Sequence, residues 1–421
     1  MAFSSSSDIA KKLCLDEGLS ANSGQWIENA RMSAAKRVED QGLPKRRDEY
    51  WNYTKPDAFL QKKIGKDSVK NKIFDIFSSD LSTIINYKDG VLKEKILPVI
   101  PGCSIESLQD AAKLDAHWAG AVFGVLEAAG QIPVKRSMAA LNTATASQGL
   151  LFLVSGKVKT PIKIDAVSIG SVDANVHHVV KVKPGAEVTL IETGQYGAGA
   201  NVVLEVEVEE NGVFHHIRVQ DGQQQNSLTH IFGRLGANST FKSFTLSMGG
   251  SVIRNECILE LVGDTSSATV AGACIGNDKF HHDDTVFVTH NAPNCESRQV
   301  FKKVLRDGAV GVFQGKILVK EGAQKTDGYQ ISQSLLLDDN CQFLAKPELE
   351  IYADDVVCSH GSTSGAIDED ALFYLRSRGV PKSKAIDLLT LSFVAESIEE
   401  VEDPDLADDL LRYLTAFLEA T

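Results

Sequence analysis

A cysteine and a histidine in the last fifth of the chain have the residue types and spacing of a metal-binding pair. Cys358 and His360 follow segment 352–357, whose composition favours a β-strand that ends just before them. Residues two positions apart on a strand lie on one face, so the thiolate and the imidazole could converge on one iron ion. Tetrahedral iron or zinc needs three or four ligands. The remaining ligands would come from elsewhere in the fold, from a second subunit or from inorganic sulfide; the alternative is a packed cysteine beside a hydrogen-bonded histidine.

A second group of possible ligands is His281-His-Asp-Asp284, followed by His290 and Cys295. On a strand, His282, Asp284 and His290 would share one face. An unbroken strand would separate His282 from His290 by roughly 26 Å, so the two rings could not reach one ion without a turn between them. We therefore favour polar residues on a solvated strand face over a second metal site.

Sequence motifs for nucleotide binding and for nucleophilic catalysis are absent. A phosphate-binding loop needs G-x-x-x-x-G-K-[ST], whereas Gly315-Lys316 is followed by Ile317 within an apolar pattern typical of a strand. The glycines of segment 194–199 have the wrong order for a dinucleotide fingerprint, and no G-x-S-x-G elbow is present. The sequence predicts that this chain binds no nucleotide itself.

Composition indicates a globular protein and argues against two classes of partner. The 421 residues contain 43 Lys and Arg against 56 Asp and Glu, a net charge of −13, which disfavours binding to nucleic acid or to a membrane surface. With 43% hydrophobic and 24% charged residues, the chain is typical of folded domains. No run of 18 apolar residues and no signal peptide is readable, and the seven cysteines lack C-x-x-C spacing, so we expect a cytoplasmic protein with reduced thiols.

The elements that would position the Cys358 and His360 pair are short strands. From about 150 to 357, runs rich in Val, Ile, Thr and Phe alternate with glycine-containing turns, and turn signals recur every 24 to 27 residues. A strand-only repeat of this length predicts a β-helix, in which successive coils stack. The alternative, an antiparallel sandwich, is disfavoured because about 200 strand-rich residues are too many for one such domain.

Helical patterns flank the strand-rich region. Residues 8 to 60 have helical spacing, a mixed stretch that includes a helix-like pattern from Leu108 to Ala129 runs to about 135, and helices return at Glu369 to Arg378, after Pro381, and at Asp405 to Ala420. We read the acidic run 399–403 as a solvated break between the last two helices. The predicted domains are therefore 1–135 (mainly helical), 136–365 (β-helix core) and 366–421 (helical).

Segment 358–379, Cys-Ser-His-Gly-Ser-Thr-Ser-Gly-Ala-Ile-Asp-Glu-Asp-Ala-Leu-Phe-Tyr-Leu-Arg-Ser-Arg-Gly, closely resembles the signature of the SufB/SufD family of iron–sulfur cluster assembly proteins. Four upstream blocks extend this resemblance over about a hundred residues. They are 294–300, 311–315, 324–328 and 346–355. The length of the chain and the blocks at Leu43-Pro44 and 51–54 are most similar to the SufD branch.

The resemblance implies a right-handed parallel β-helix core between helical domains, and a scaffold subunit that is not itself an enzyme. It implies pairing with a SufB-like paralogue and binding of a SufC-like ATPase through the C-terminal helical domain, for which Ile386, Leu389 and Phe393 are our candidate contacts. His360, and less certainly Cys358, would hold a transient iron–sulfur cluster near the SufB interface. The resemblance does not decide whether a flavin takes part.

Two other function classes remain open at this point. Long β-helices often carry paired carboxylates, so a β-helical enzyme acting on carbohydrate is one alternative, although no acid/base pair and no secretion signal is readable. The other is a purely structural subunit that binds no metal.

Overall fold

The computed structural model describes residues 23–60, 76–77, 82–170, 172–222 and 226–420. Two long sheets face each other, one of ten strands and one of nine, and consecutive strands of the central region alternate between them. The result is a mainly parallel β-solenoid of about seven coils with helices at both ends of the chain. The β-helix prediction is confirmed, and the antiparallel sandwich is ruled out.

Most strands are eight to eleven residues long and are separated by short turns. The strands are β1 (Thr83–Lys88), β2 (Val91–Leu92), β3 (Cys103–Ser107), β4 (Leu150–Val154), β5 (Ile162–Val167), β6 (Ala174–Val182), β7 (Glu187–Gly194), β8 (Gly199–Val208), β9 (Val213–Gln220), β10 (Asn226–Leu235), β11 (Thr240–Ser247), β12 (Val252–Leu261), β13 (Ser267–Gly276), β14 (His281–His290), β15 (Glu296–Leu305), β16 (Val310–Val319), β17 (Thr326–Leu336), β18 (Gln342–Ile351) and β19 (Val356–Gly365).

The register of the parallel pairs gives the length of each coil. Asn226 pairs with Val252, 26 positions later, and Val310 pairs with Gln342, 32 positions later. The predicted repeat of 24 to 27 residues is thus close for the middle coils and too short for the last ones. Because parallel neighbours in register lie side by side on one face, each inward-facing side chain stacks on its equivalents in adjacent coils.

The space between the inner faces of the two sheets, here called the lumen, is filled by a continuous apolar core. Phe152, Phe214 and Phe241 are almost fully buried there. Alternation along each strand sends every second residue into this core. The outer faces of both sheets are also apolar over much of their length, so each needs a cover.

Helices and turns near the N-terminus cover the nine-stranded sheet. Ile27, Phe123 and Leu126 pack in one cluster with Val203 and other outward residues of that sheet. The elements are α1 (Gln25–Gln41), α2 (Asp57–Leu60), α3 (Leu108–Ala111), α4 (Val125–Ala129), α5 (Ser137–Thr145) and 3-10 turns at Glu49–Trp51 and Trp118–Ala121.

Two expectations for this N-terminal region change. The expected helix from Leu108 to Ala129 is broken into α3, a 3-10 turn and α4, with Gly124 in the left-handed region at φ 71° just before α4. Strands β1 and β3 also lie in this region. β1 pairs with β5 in the ten-stranded sheet, and β3 pairs with β4 in the nine-stranded sheet. The predicted helical segment 8–22 lies outside the described residues, and the domain boundary near 135 stays a prediction.

The C-terminal helices cover the ten-stranded sheet. They are α6 (Glu369–Ser377), α7 (Lys382–Ile398) and α8 (Pro404–Ala420). The Asp368 side chain caps α6 by accepting the backbone N–H groups of Asp370 and Ala371, as its position predicts. Val394 and Leu414 are fully buried in a cluster with outward residues of this sheet. The solenoid is therefore enclosed on both broad faces.

Candidate metal centre

The predicted pair lies on β19, the last strand of the ten-stranded sheet. The turn after β18 contains Asp354 and Asp355, so the new strand begins at Val356 and includes both Cys358 and His360 instead of ending before them. In the register with β17, Cys358 lies beside Gly328 and His360 beside Gln330. Gly328 and Gln330 are buried residues of the inner face, which places both predicted ligands on the lumen face. That they share one face is what their spacing predicts.

The coil that carries the pair is uncovered. Gln330 and Ser332 on β17 are fully buried, whereas their neighbours His360 and Ser362 on β19 are exposed. Strand β18, the last strand of the other sheet, has no buried residue along its length. Since every inner coil has a neighbour on each side, this exposure arises because no further coil of the described chain follows β18 and β19. The lumen thus has an open mouth with Cys358 and His360 inside it.

Cys358 is a half-buried thiol packed at this mouth. Its Sγ would lie 3.2 Å from a Cβ at Gly328, so the glycine leaves room for the sulfur. Burial raises the pKa of the Cys358 thiol, and the hydrogen bond from the backbone of Gly328 only partly opposes it. The side chain is therefore a neutral thiol at pH 7. It becomes a thiolate ligand when a cation replaces the proton.

The other described cysteines are unsuited to bind an incoming ion. All five are buried, and burial raises the pKa of Cys103, Cys257 and Cys274 to about 12. Cys14 lies outside the described residues. Among the ten histidines, His360 is the exposed one. Accessibility therefore separates Cys358 and His360 from the remaining described thiols and imidazoles.

The pair is not completed by other side chains of this chain. Within the described ranges, no three His, Cys, Asp or Glu side chains are grouped so that they could hold a metal ion. Two ligands on one face of an open coil form half of a tetrahedral site. Chemically, the arrangement can donate one sulfur and one nitrogen to an ion whose other ligands come from outside.

The second predicted group of ligands is buried and paired, so our interpretation as a solvated strand face is wrong. His282 and Asp284 face the lumen, where Lys303 Nζ lies 2.8 Å from His282 Nδ1 and 2.6 Å from Asp284 Oδ2. His281 and Asp283 face outward under the N-terminal segment, against Thr54. Both faces of this strand are covered, one by the core and one by residues 49–60, which sequence alternation alone does not reveal.

The three predicted partner contacts on α7 are half-buried. Ile386 and Leu389 keep part of their surface, whereas Phe393 packs towards the solenoid with Lys302 Nζ 4.7 Å from its ring centroid. Helix α7 as a whole lies on β13 and β15. Much of the apolar surface of the C-terminal helices is therefore used inside this chain.

The acidic run 399–403 also differs from its prediction. Glu400 accepts a hydrogen bond from Arg298 at 2.7 Å, and Glu402 pairs with Lys242. Lysines and arginines on the outer face of the sheet, remote in sequence, hold this segment in place. The run is the predicted break between α7, which ends at Ile398, and α8, which begins at Pro404, but it is a docking contact and not a solvated segment.

Sequence reasoning missed three exposed apolar residues on the C-terminal helices. Phe373 is 74% exposed, and Tyr374 and Leu388 are also exposed. Large apolar side chains clustered at a surface often mark a protein interface. The signal available in the sequence was the pair Phe373-Tyr374, since an adjacent pair cannot both face inward on a helix.

Comparison with protein families identifies both halves of the chain. A family model described as "SUF system FeS cluster assembly, SufBD core domain" matches residues 167–393, more than half of the chain. A second model, "SufBD protein N-terminal region", matches residues 15–164. The matched core contains strands β6 to β19 with the open mouth, all of α6 and most of α7.

Several curated proteins are similar in sequence. The iron–sulfur cluster assembly protein SufD of Escherichia coli is 33% identical over 248 residues, 56% of this chain and 57% of the relative. The protein ABCI7, chloroplastic, of Arabidopsis thaliana is 30% identical over 256 residues, 58% and 53% of the two chains. SufD of Bacillus subtilis is 25% identical over 418 residues, 89% and 90%. The chain thus spans little more than half the length of the first two relatives. No helix in the described part of the chain is long and apolar enough to cross a membrane.

Proposed function

Because the chain belongs to the SufB/SufD family of iron–sulfur cluster assembly proteins, and within it to the SufD type, we propose that it is a non-catalytic scaffold subunit. On it, an iron–sulfur cluster is assembled as cargo at the open mouth of the lumen. The observation that carries this proposal is the uncovered terminal coil, which presents a thiol and an imidazole on one face. A cytoplasmic location stays a prediction.

The uncovered coil supports pairing with a second solenoid chain, a SufB-like paralogue. An exposed strand edge offers unpaired N–H and C=O groups to another chain. Pro347 has no backbone N–H and so interrupts the row of hydrogen-bond donors along β18, whereas β19 has no proline between Val356 and Gly365. A proline is tolerated on an edge strand but cannot donate to a partner strand. We therefore place the partner mainly against β19, where Val357 is 71% exposed.

Pairing at β19 would bring a second set of ligands to the mouth. Cys358 and His360 supply two, and the partner and inorganic sulfide would supply the others. Thiolate, imidazole and sulfide are ligands that suit iron. The assembled site would then lie between the two chains.

We also propose that a SufC-like ATPase docks on the C-terminal helices. Ile386 and Leu389 keep exposed surface, and Phe373 and Tyr374 on α6 and Leu388 on α7 are further exposed apolar side chains of the same helical region. Phe393 would act indirectly, by fixing α7 on the solenoid through Lys302. Nucleotide chemistry would belong to the docked subunit, since this chain has no phosphate-binding loop.

Anaerobic co-purification tests the proposal. The chain is co-expressed with SufB-like and SufC-like chains, and the isolated complex is analysed for iron and sulfide. We expect a complex of all three chains that contains both elements. A chain that captures neither partner, or a complete complex that never contains iron or sulfide, would contradict the proposal. A complex that lacks metal would favour the purely structural subunit.

Matched surface substitutions locate the two interfaces. Val357→Glu should prevent capture of the SufB-like chain, whereas Val172→Glu, also at an exposed valine but near the opposite end of the solenoid, should not. Phe373→Glu should prevent capture of the ATPase, with Ile96→Glu as the control at a remote exposed residue. All four side chains are exposed, so the fold should tolerate each change. Equal capture by each variant and its control would refute the assigned surface.

A further inference from the structure

Behind His360, the inner face of the solenoid carries a row of glutamines. Gln299 on β15 pairs in register with Gln330 on β17, and Gln330 pairs with His360 on β19. Parallel neighbours in register are about 4.8 Å apart and point the same way. The three side chains therefore form one ladder that leads from the buried lumen to the exposed imidazole.

The hydrogen bond between the two glutamines of this ladder has a direction. Gln330 Nε2 donates to Gln299 Oε1 at 2.8 Å, and Gln330 is fully buried. Gln330 Oε1 has no hydrogen-bond partner among the described residues. A buried carbonyl oxygen without a donor is unfavourable by roughly 1–3 kcal/mol. Since the amide donates inward, its free oxygen is left for a donor on the outward side, where the next rung is His360.

A glycine on the opposite sheet leaves room for this amide. A Cβ at Gly315 on β16 would lie 1.9 Å from Gln330 Nε2, so no other residue fits there unless the glutamine moves. The space for the Gln330 side chain is thus built from both sheets.

We infer that Gln330 is a positioning residue for the imidazole of His360. This inference rests on the proposed function only in its consequence for iron. The structure as described does not contain a hydrogen bond between these two side chains; in the proposed arrangement the imidazole turns so that one ring N–H of His360 donates to Gln330 Oε1, and this bond fixes the tautomer and the ring plane. The other ring nitrogen then carries no proton and faces the mouth, as an iron ligand must.

Histidine tautomers measured by NMR test the inference directly. In the chain labelled with ¹⁵N-histidine, long-range ¹H–¹⁵N spectra report which ring nitrogen of His360 carries the proton, and the His360→Gln variant assigns the signal. Gln330→Met removes the acceptor at similar volume. We expect the tautomer ratio of His360 to fall roughly fivefold, the change that corresponds to one net hydrogen bond of about 1 kcal/mol.

Two further variants separate the acceptor from simple packing. Gln330→Glu keeps an oxygen facing His360, and Gln299 can turn to donate its Nε2, which has no partner in the described structure. The Gln330→Glu variant should therefore retain the wild-type tautomer of His360. Gly315→Ala should displace the amide and act like Gln330→Met, whereas Gly311→Ala on the same strand meets Lys303 instead and should leave the tautomer unchanged.

Iron loading of the complex gives the functional readout. Loss of an outer hydrogen-bond partner typically weakens metal binding 10- to 100-fold, so Gln330→Met should lower the iron content of the complex and Gln330→Glu should restore it. Equal tautomer ratios in wild type and Gln330→Met, in the chain alone and in the complex, would overturn the inference. That result would leave the proposed function intact. The proposed function fails under a different result, namely that the complex assembles its cluster without His360.

Discussion

Acidification to pH 5.5 should destabilise the fold through histidines that are held neutral inside it, and His178 is the clearest case. Its Nδ1 accepts the backbone N–H of Leu150 at 3.0 Å. Its Nε2 therefore carries the proton and donates to Tyr196 Oη at 3.0 Å, and Tyr196 donates in turn to Glu192 at 3.2 Å. A second proton on Nδ1 would face the N–H of Leu150, so the folded state has no place for it.

The structure gives the size and sign of the effect. Burial lowers the pKa of His178 from 6.5 to about 4. Between these values the unfolded chain binds a proton that the folded chain does not, so the contribution is complete above pH 6.5 and is lost as the pH falls towards 4. Lowering the pH from 7.5 to 5.5 should reduce the free energy of unfolding by about 1.3 kcal/mol through this residue alone.

Urea denaturation at the two pH values measures this difference. His178→Asn keeps an acceptor for Leu150 but cannot be protonated, so the loss of stability between pH 7.5 and 5.5 should shrink by about 1.3 kcal/mol. Tyr196→Phe is the control, because it removes a hydrogen bond without removing a group that titrates between pH 5.5 and 7.5, and it should lower stability by the same amount at both pH values. A His178→Asn variant with the full wild-type pH dependence would refute the reasoning.

Three further substitutions test how the solenoid and its covers are held together. Arg218→Met leaves the Glu192 carboxylate buried without the guanidinium that donates hydrogen bonds to it. It should lower the free energy of unfolding, measured in urea, by about 3–5 kcal/mol. Adding Glu192→Gln, which removes the buried charge, should recover part of this loss. Leu414→Ala should weaken docking of α8 by about 2–5 kcal/mol, seen as faster hydrogen exchange in α7 and α8 with unchanged strands, and equal exchange throughout would contradict this. Asn142→Ala removes buried hydrogen bonds from α5 to two strands, one of them to the carbonyl of Val176, and should cost about 1–3 kcal/mol in the same urea assay; an unchanged midpoint would show that water replaces them.

The solenoid was predictable because its coils repeat in the sequence. Glycine-containing turns and strands rich in Val, Ile and Phe recur along the chain, and a period with strands alone admits few folds. The N-terminal strands β1 and β3 were not predictable in the same way. They belong to the incomplete first coils, where β3 pairs antiparallel with β4 and no repeat marks the boundary.

The candidate site was predictable in part. Alternation correctly placed Cys358 and His360 on one face, and the family resemblance singled them out. Burial of His282 was missed, because the cover over the strand and the lysine inside the lumen are remote in sequence. Gln330 was missed because it lies beside His360 only through the coil repeat, 30 positions earlier. Aligning the chain on its own coils would have revealed that neighbour.

The most direct measurement of the central claim is the iron and sulfide content of the anaerobically assembled complex with wild-type chain and with His360→Ala. Because His360 is exposed at the mouth, the substitution should leave the melting temperature and association with the SufB-like chain nearly unchanged. The cluster content should fall sharply, and Cys358→Ser should have an equal or smaller effect. A His360→Ala complex that accumulates clusters at the wild-type rate would remove His360 from the site and contradict the account.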